Sequence, residues 1–288
     1  MMFLQAGGAL APLVIVPIQV RFGWRASFYL LGVLGVGWSI AWHRWYRDTP
    51  AENINVTQTE MEEIGFRSYA NNHILPWGIA LRRENLWAIL FVAFSYVFAL
   101  YFFLSWLHTF LVKGRGFSEG DLLLSTAPPI LGACGNVFGG FVSDALVKRF
   151  GLKWGRRAVG LFGLSCATFF IVATILTTNR FATLLFLGLV YAGITMQQTV
   201  IGTVTIDIGK KYVGGILGLL NAVASVGGFL FSISYGYFVK WFGSYDLALI
   251  PVASLLAVAT LTWLRIDATE ELIPEEEAES VIEVAAVA

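Results

Sequence analysis

The residues able to do chemistry in this chain fall into two sets, and neither looks like a catalytic centre. The first is a charged stretch, Gly139-Gly140-Phe141-Val142-Ser143-Asp144-Ala145-Leu146-Val147-Lys148-Arg149-Phe150-Gly151, closed by Arg156 and Arg157. The second is a few polar and aromatic side chains inside long apolar runs: Tyr101, Trp106, Gln198 and Asn221. An amide can donate to an anionic oxygen and accept from a hydroxyl. Gln198 and Asn221 therefore suit recognition of a small polar solute, and equally an interhelical hydrogen bond. Tyr101 and Trp106 lie in a span rich in rings, where packing or an interfacial belt competes with lining a cavity. In the charged stretch Gly140, Asp144, Lys148, Arg149, Arg156 and Arg157 suit a gate. A carboxylate at a helix end can hold the positive N-terminus of a neighbouring helix, by about 0.3–1 kcal/mol. No spacing suits a metal site or a disulfide framework. Intramembrane proteolysis would need two mid-span aspartates or a helical His/Glu cluster, and the sequence has neither. No metal, no cofactor and no enzymatic activity are expected.

The elements that must position these residues are membrane helices. Of 288 residues 57% are apolar and 13% charged, with mean hydropathy +0.71, and the charges are confined to short connections. A span needs about 20 mostly apolar residues, and helices satisfy their own backbone in lipid. The sequence predicts an all-α polytopic membrane protein of eight spans: roughly Met2–Val20, Ala26–Trp45, Leu86–Val112, Leu122–Leu146, Ala158–Thr178, Phe181–Ile208, Tyr212–Val239 and Tyr245–Leu264. Pro12 and Pro17 make the first the weakest. The spans group as two plus six: residues 1–45 carry two, 46–84 form a polar linker with a short surface helix around Thr59–Phe66, and 85–266 carry six. Residues 267–288 form an acidic tail, read as solvated because eight acidic and no basic residues occupy it. Thirteen of the 19 Lys and Arg residues fall in alternate connections on one side and six on the other. The basic side is expected to be cytoplasmic, which puts both chain ends there. No carboxylate lies mid-span; Asp121, Asp144, Asp207 and Asp246 all fall at span ends.

The chain resembles the major facilitator superfamily, and within it the anion:cation symporter branch of hexuronate, galactonate and glucarate carriers. Gly7-Gly8-Ala9-Leu10-Ala11-Pro12, then Phe22-Gly23-Trp24-Arg25 and Phe28, are similar to the family's fifth helix and its turn into the sixth. Trp42, Trp45, Arg47-Asp48 and Pro50 resemble the exit of the sixth helix. Phe103-Leu104-Ser105-Trp106-Leu107 and Gly114-Arg115-Gly116-Phe117-Ser118 resemble the seventh helix and its outer loop. The charged stretch resembles the motif between helices eight and nine, and Gly214, Gly218, Asn221, Gly227 and Gly228 resemble the eleventh helix. His108 departs from the family, which usually has proline there, and the local bend is left open.

The resemblance implies a secondary transporter in the inner (plasma) membrane, moving a small organic anion with protons by alternating access. It also implies that helices one to four, with the coupling carboxylates and a substrate-binding arginine, are missing from this chain, so that it is an incomplete, transport-incompetent fragment. The expected partners are the organic anion, protons and the lipid bilayer, with no nucleic acid, and the chain is expected to be monomeric. Asp144 is expected near the backbone amides of Met1–Gln5, with Arg156 or Arg157 pairing with Asp144 or a nearby helix end. The alternative is a membrane receptor or assembly partner that does not transport.

Overall fold

The computed structural model describes residues 7, 14–15, 17–47, 52, 56–57, 59–61, 75–118 and 126–274. All its regular elements among these are helical. The chain divides into two units, Leu10–His73 and the remainder, Met1–Ala9 with Ile74–Ala288.

The smaller unit holds helix α1, Trp24–Trp45, entered through Gly23 at φ 81°. It is apolar around its whole circumference, as a helix that meets lipid must be. Trp38, Trp42 and Tyr46 form a ring ladder along one side, with centroids 6.0 and 4.7 Å apart. The first expected span falls largely outside the described residues, as does most of the expected surface helix. Only residues 59–61 of that helix are described, and they are helical. It starts on a reciprocal cap: the Thr57 amide donates to the Glu60 carboxylate at 2.9 Å, and the Glu60 amide to Thr57 Oγ1 at 3.4 Å.

The larger unit carries the core. Helix α2, Glu84–Tyr101, continues to Gly114 through two π-helical turns, Phe102–Trp106 and Phe110–Gly114, which bracket His108. The departure from the proline pattern thus leaves a helix locally widened on both sides of His108. Helix α3, Ala127–Leu176, is two spans joined at Gly151, whose φ of 81° breaks the helical path without a longer loop. Two prolines in its first turn occupy positions that need no amide hydrogen. Helix α4, Arg180–Gly209, is capped by Asn179, whose side chain accepts from the amides of Phe181 and Ala182 at 3.0 and 3.1 Å. Helix α5, Val213–Phe242, stops at left-handed Gly243, and helix α6, Ile250–Thr262, ends the bundle.

Backbone contact between α3 and α4 holds this unit together. A β-carbon on Gly135 would lie 2.3 Å from the Ala192 carbonyl oxygen, and one on Gly139 would lie 2.8 Å from that of Met196. In lipid such close approach replaces the hydrophobic force that assembles soluble helices. The second half of α3 meets the same helix through Gly163 and Gly193, each within 2.7 Å of where the other's side chain would start. Gly140, by contrast, has ordinary room, with Thr199 Cγ2 3.8 Å from an added carbon. The Gly135→Val protein should therefore lose about 1–3 kcal/mol or more of stability, and Gly140→Ala should lose little. Unfolding in detergent, followed by helical circular dichroism, compares the two.

Candidate functional site

The charged stretch is built around Arg156. Its Nη1 donates to the Ser143 hydroxyl at 2.8 Å and to Asp144 Oδ1 at 3.2 Å, and its Nε donates to Asp207 Oδ2 at 3.3 Å. Three helical segments, the two halves of α3 and the end of α4, are thereby tied at one guanidinium. The Asp144 side chain is 70% exposed and Asp207 24%, while Arg156 is 12%. The more buried Asp207 contact thus carries more of the energy than the exposed pair, which is worth little. Lys148 and Arg149 are exposed. Arg157 is buried and donates from Nε and Nη2 to the Ile266 carbonyl at 3.1 and 2.8 Å, just beyond α6. The expected partner of Asp144 around Met1–Gln5 lies outside the described residues.

Asp207 was legible only as a span-end charge; its part here comes from α4 ending beside the turn at Gly151. The segment after Ile266 needs a correction. It is not solvated at its start, because Ala268, Leu272 and Ile273 are buried. Asn85 and Asp267 exchange backbone and side-chain hydrogen bonds at 2.8 and 3.1 Å, Lys153 pairs with Asp267 at 2.5 Å, and the Leu272 amide donates to the Ile208 carbonyl at 3.1 Å. That last bond satisfies one of the carbonyls a helix end leaves open. Acidic composition concealed four apolar residues, Ile266, Ala268, Leu272 and Ile273, that strap the ends of α2, α3 and α4.

The opposite end is fastened by Arg115, whose guanidinium bonds the carbonyls of Thr177 and, at 2.6 Å, Thr174, and pairs with Asp246 at 2.8 Å.

Between these ends, α2 lies against α5 on one side and α4 on the other, and three of the four candidate binding residues divide between the two seams. Tyr101 packs on Gly228, where an added β-carbon would meet its ring at 2.4 Å. Trp106 donates from Nε1 to the Ser232 carbonyl at 3.3 Å, and its ring lies 5.1 Å from that of Tyr235. Asn221 is exposed on α5, but its amide donates to the Leu217 carbonyl of its own helix at 2.9 Å. It shares an exposed stripe with Gly214, Gly218 and Ser225. Gln198 sits on the other seam, near the Tyr96 hydroxyl, and Phe103 meets Tyr191 edge-on there at 4.7 Å. The Gln198 Oε1 is buried without a partner among the described residues. Tyr101 and Trp106 thus share the α2–α5 seam, Asn221 stands exposed on α5, and Gln198 lies apart from all three.

Sequence reasoning missed Gln197. It is fully buried, its Cβ 3.2 Å from where a Gly163 side chain would start, and neither of its amide atoms has a partner among the described residues. Its neighbour Gln198 drew attention by helical spacing, and nothing in the pattern distinguished the two.

Helices of this length and hydropathy, packed through glycine seams and pinned by charges at both ends, make a multi-pass membrane protein. Residues 1–232 match the Major Facilitator Superfamily, and the chain belongs to that family. It is 33% identical over 271 residues to a probable sulfoacetate transporter of Cupriavidus necator, covering 92% of this chain and 63% of that protein. It is 27% identical over 267 residues to the hexuronate transporter of Bacillus subtilis, covering 90% and 61%. A probable L-galactonate transporter of Escherichia coli is 22% identical over 265 residues, covering 90% and 58%. The chain therefore spans less than two thirds of the length of these relatives. The fold is shared with a bacterial homologue of the human lysosomal transporter Spinster, at TM-score 0.57 and 15% identity, over 93% of this chain and 65% of that one.

The strap yields a pH test. Burial alone would raise the Asp267 carboxyl, but hydrogen bonds from Lys153 and Thr269 and the Lys153 charge prevail and hold it at about 2. A depressed carboxyl stabilises the fold above its unfolded value of about 4 and loses that contribution as pH falls toward the folded value. Asp267→Asn should therefore lower the melting temperature at neutral pH, and the gap from the parent should close as pH falls from about 4 toward about 2. Thermal unfolding across that range measures it.

Proposed function

We propose that this chain forms the C-terminal half and part of the N-terminal half of a secondary transporter for a small organic anion, driven by protons. The supporting observation is Gln198: an amide with a buried, unpartnered carbonyl oxygen, beside a tyrosine hydroxyl, in a membrane helix. Leaving such an acceptor unpaired in lipid surroundings is costly, and a hydroxylated anion supplies the missing donor. The amide nitrogen and the Tyr96 hydroxyl can donate in turn to an anionic oxygen. Sugar acids carry both kinds of group, and the relatives named for hexuronate and galactonate point to the same chemistry. Asn221, exposed on α5 and apart from Gln198, offers a second amide to the solute, while Tyr101 and Trp106 pack α2 against α5.

In this reading the Arg156 cluster is the inner gate, facing the cytoplasm of a plasma-membrane protein with both chain ends inside, and the Arg115–Asp246 pair fastens the outer end. The described residues offer no mid-span carboxylate, and proton coupling needs a titratable group within the pathway.

Uptake into proteoliposomes under an imposed pH gradient tests the whole protein. Labelled galactonate, a hexuronate or sulfoacetate should accumulate, and a protonophore should abolish accumulation. Gln198→Leu should raise the apparent KM about tenfold or more, while Gln197→Leu, in the α3–α4 seam, should leave it near the parent value. Uptake that prefers neutral sugars over their acids would overturn the proposal. Specific binding of an organic anion without any uptake by the whole protein would favour the receptor reading instead.

A further inference from the structure

The strap that follows α6 joins two helical segments at the places where the Arg156 cluster also joins them. Arg156 reaches Asp207 from the beginning of the second half of α3. Its neighbour Arg157, buried, donates twice to the Ile266 carbonyl at one end of the strap. At the other end the Leu272 amide donates to the carbonyl of Ile208, the neighbour of Asp207, at 3.1 Å. The two attachments of the strap thus flank the Arg156–Asp207 pair residue by residue. Beyond Ile208 the chain turns from α4 into α5 through Lys210, at φ 44° and ψ −117°. No other non-glycine residue among those described has a positive φ, and a side chain in that conformation is strained. We propose that residues 266–272 are a releasable clamp, which holds the Lys210 turn in its strained form and so keeps Asp207 on Arg156.

Strain of this kind persists only where neighbouring contacts over-determine the backbone. From within the turn, a β-carbon on Gly209 would lie 3.1 Å from both Ile216 Cδ1 and Val213 Cγ2, so the chain is folded tightly onto the start of α5. From the strap, Leu272 and Ile273 are buried, and Glu271 lies 3.8 Å from Lys210 in a weak exposed pair. The strap itself is built to let go. Residues 266–274 form turns and bends without a helix, and Thr269 and Glu270, between the two attachments, are exposed. Segments with so little regular structure of their own open at low free energy. When the strap lifts, the Ile208 carbonyl loses the Leu272 amide, the Lys210 turn relaxes, and the end of α4 is free to leave Arg156. The chain after α6 is thereby linked to the charged cluster, and the link stands whatever the transported solute is.

Hydrogen–deuterium exchange of the 288-residue protein in mild detergent tests the clamp, with thermal unfolding beside it. Leu272→Pro, which removes the donating amide, should speed exchange across residues 207–216 by at least about tenfold. Residues 190–197, in the α3–α4 seam, should stay near the parent rate. Leu272→Ala keeps the amide and gives up only buried side-chain contact, so it should speed the same segment by less; it carries both measurements if the proline variant does not fold. Lys210→Gly, which relieves the strain, should raise the melting temperature of the parent by about 2–4 °C. With the strap released by the Leu272 change, the same substitution should give little or no rise, because the turn has already relaxed. Exchange at 207–216 that is unchanged in the folded Leu272 variants, or that rises equally at 190–197, overturns the proposal. So does a rise from Lys210→Gly that is the same in both backgrounds.

Discussion

The larger unit depends on α4 being held at backbone contact by both halves of α3. Gly135 and Gly139 on one side, and Gly163 facing Gly193 on the other, bring the helices close enough for carbonyl oxygens to occupy space a side chain would need. Lipid tails are as apolar as leucine, so association in the membrane rests on such packing and on hydrogen bonds. With α4 fixed in this way, its end has one position available. Asp207 there meets Arg156, and the Ile208 carbonyl meets the strap. The charges at the Gly151 turn follow from the glycine seam and do not create it.

The same constraint shapes the candidate site. Because α4 is held by α3 on two sides, the face that turns toward α2 is narrow, and it presents Tyr191 and Gln198 to Phe103 and Tyr96. On its other side α2 packs on α5 through Tyr101 and Trp106, and the π-helical turn between those two residues widens the helix where it changes partner. π-turns of this kind recur at functional sites because they re-aim side chains at the cost of regular bonding. Here the turn sends Trp106 into α5 and leaves Ser105 exposed.

Much of this was legible in the sequence because lipid simplifies the code. Apolar runs separated by basic connections gave the helices of the larger unit to within a few residues, and they left open whether Arg156 or Arg157 holds Asp144 or a nearby helix end, which the structure resolves as Arg156 on Asp144 and Asp207. What escaped had specific causes. Gly132, Gly135 and Gly163 are spread along two spans, and only the fold shows that they address one helix. Gln197 and Gln198 are chemically identical neighbours, and the helix rotation that sends one into the α3 seam and the other toward α2 is set by packing. The strap escaped because its acidic residues dominate its composition, whereas its burial comes from apolar residues between them. The two π-helical turns have no residue signature: the substitution of histidine for the expected proline indicated a departure without indicating its form.

The claim at the centre of this account is that Gln198 faces the path of an organic anion. The most direct measurement is the rate at which a thiol at that position reacts. In the whole protein with Cys134 and Cys166 replaced by serine, Gln198→Cys should react with a small water-soluble maleimide. Galactonate or a related acid should slow the reaction in a saturable way, and the corresponding neutral sugar should not. A thiol that never reacts, or one that reacts at the same rate with and without the acid, would contradict the assignment.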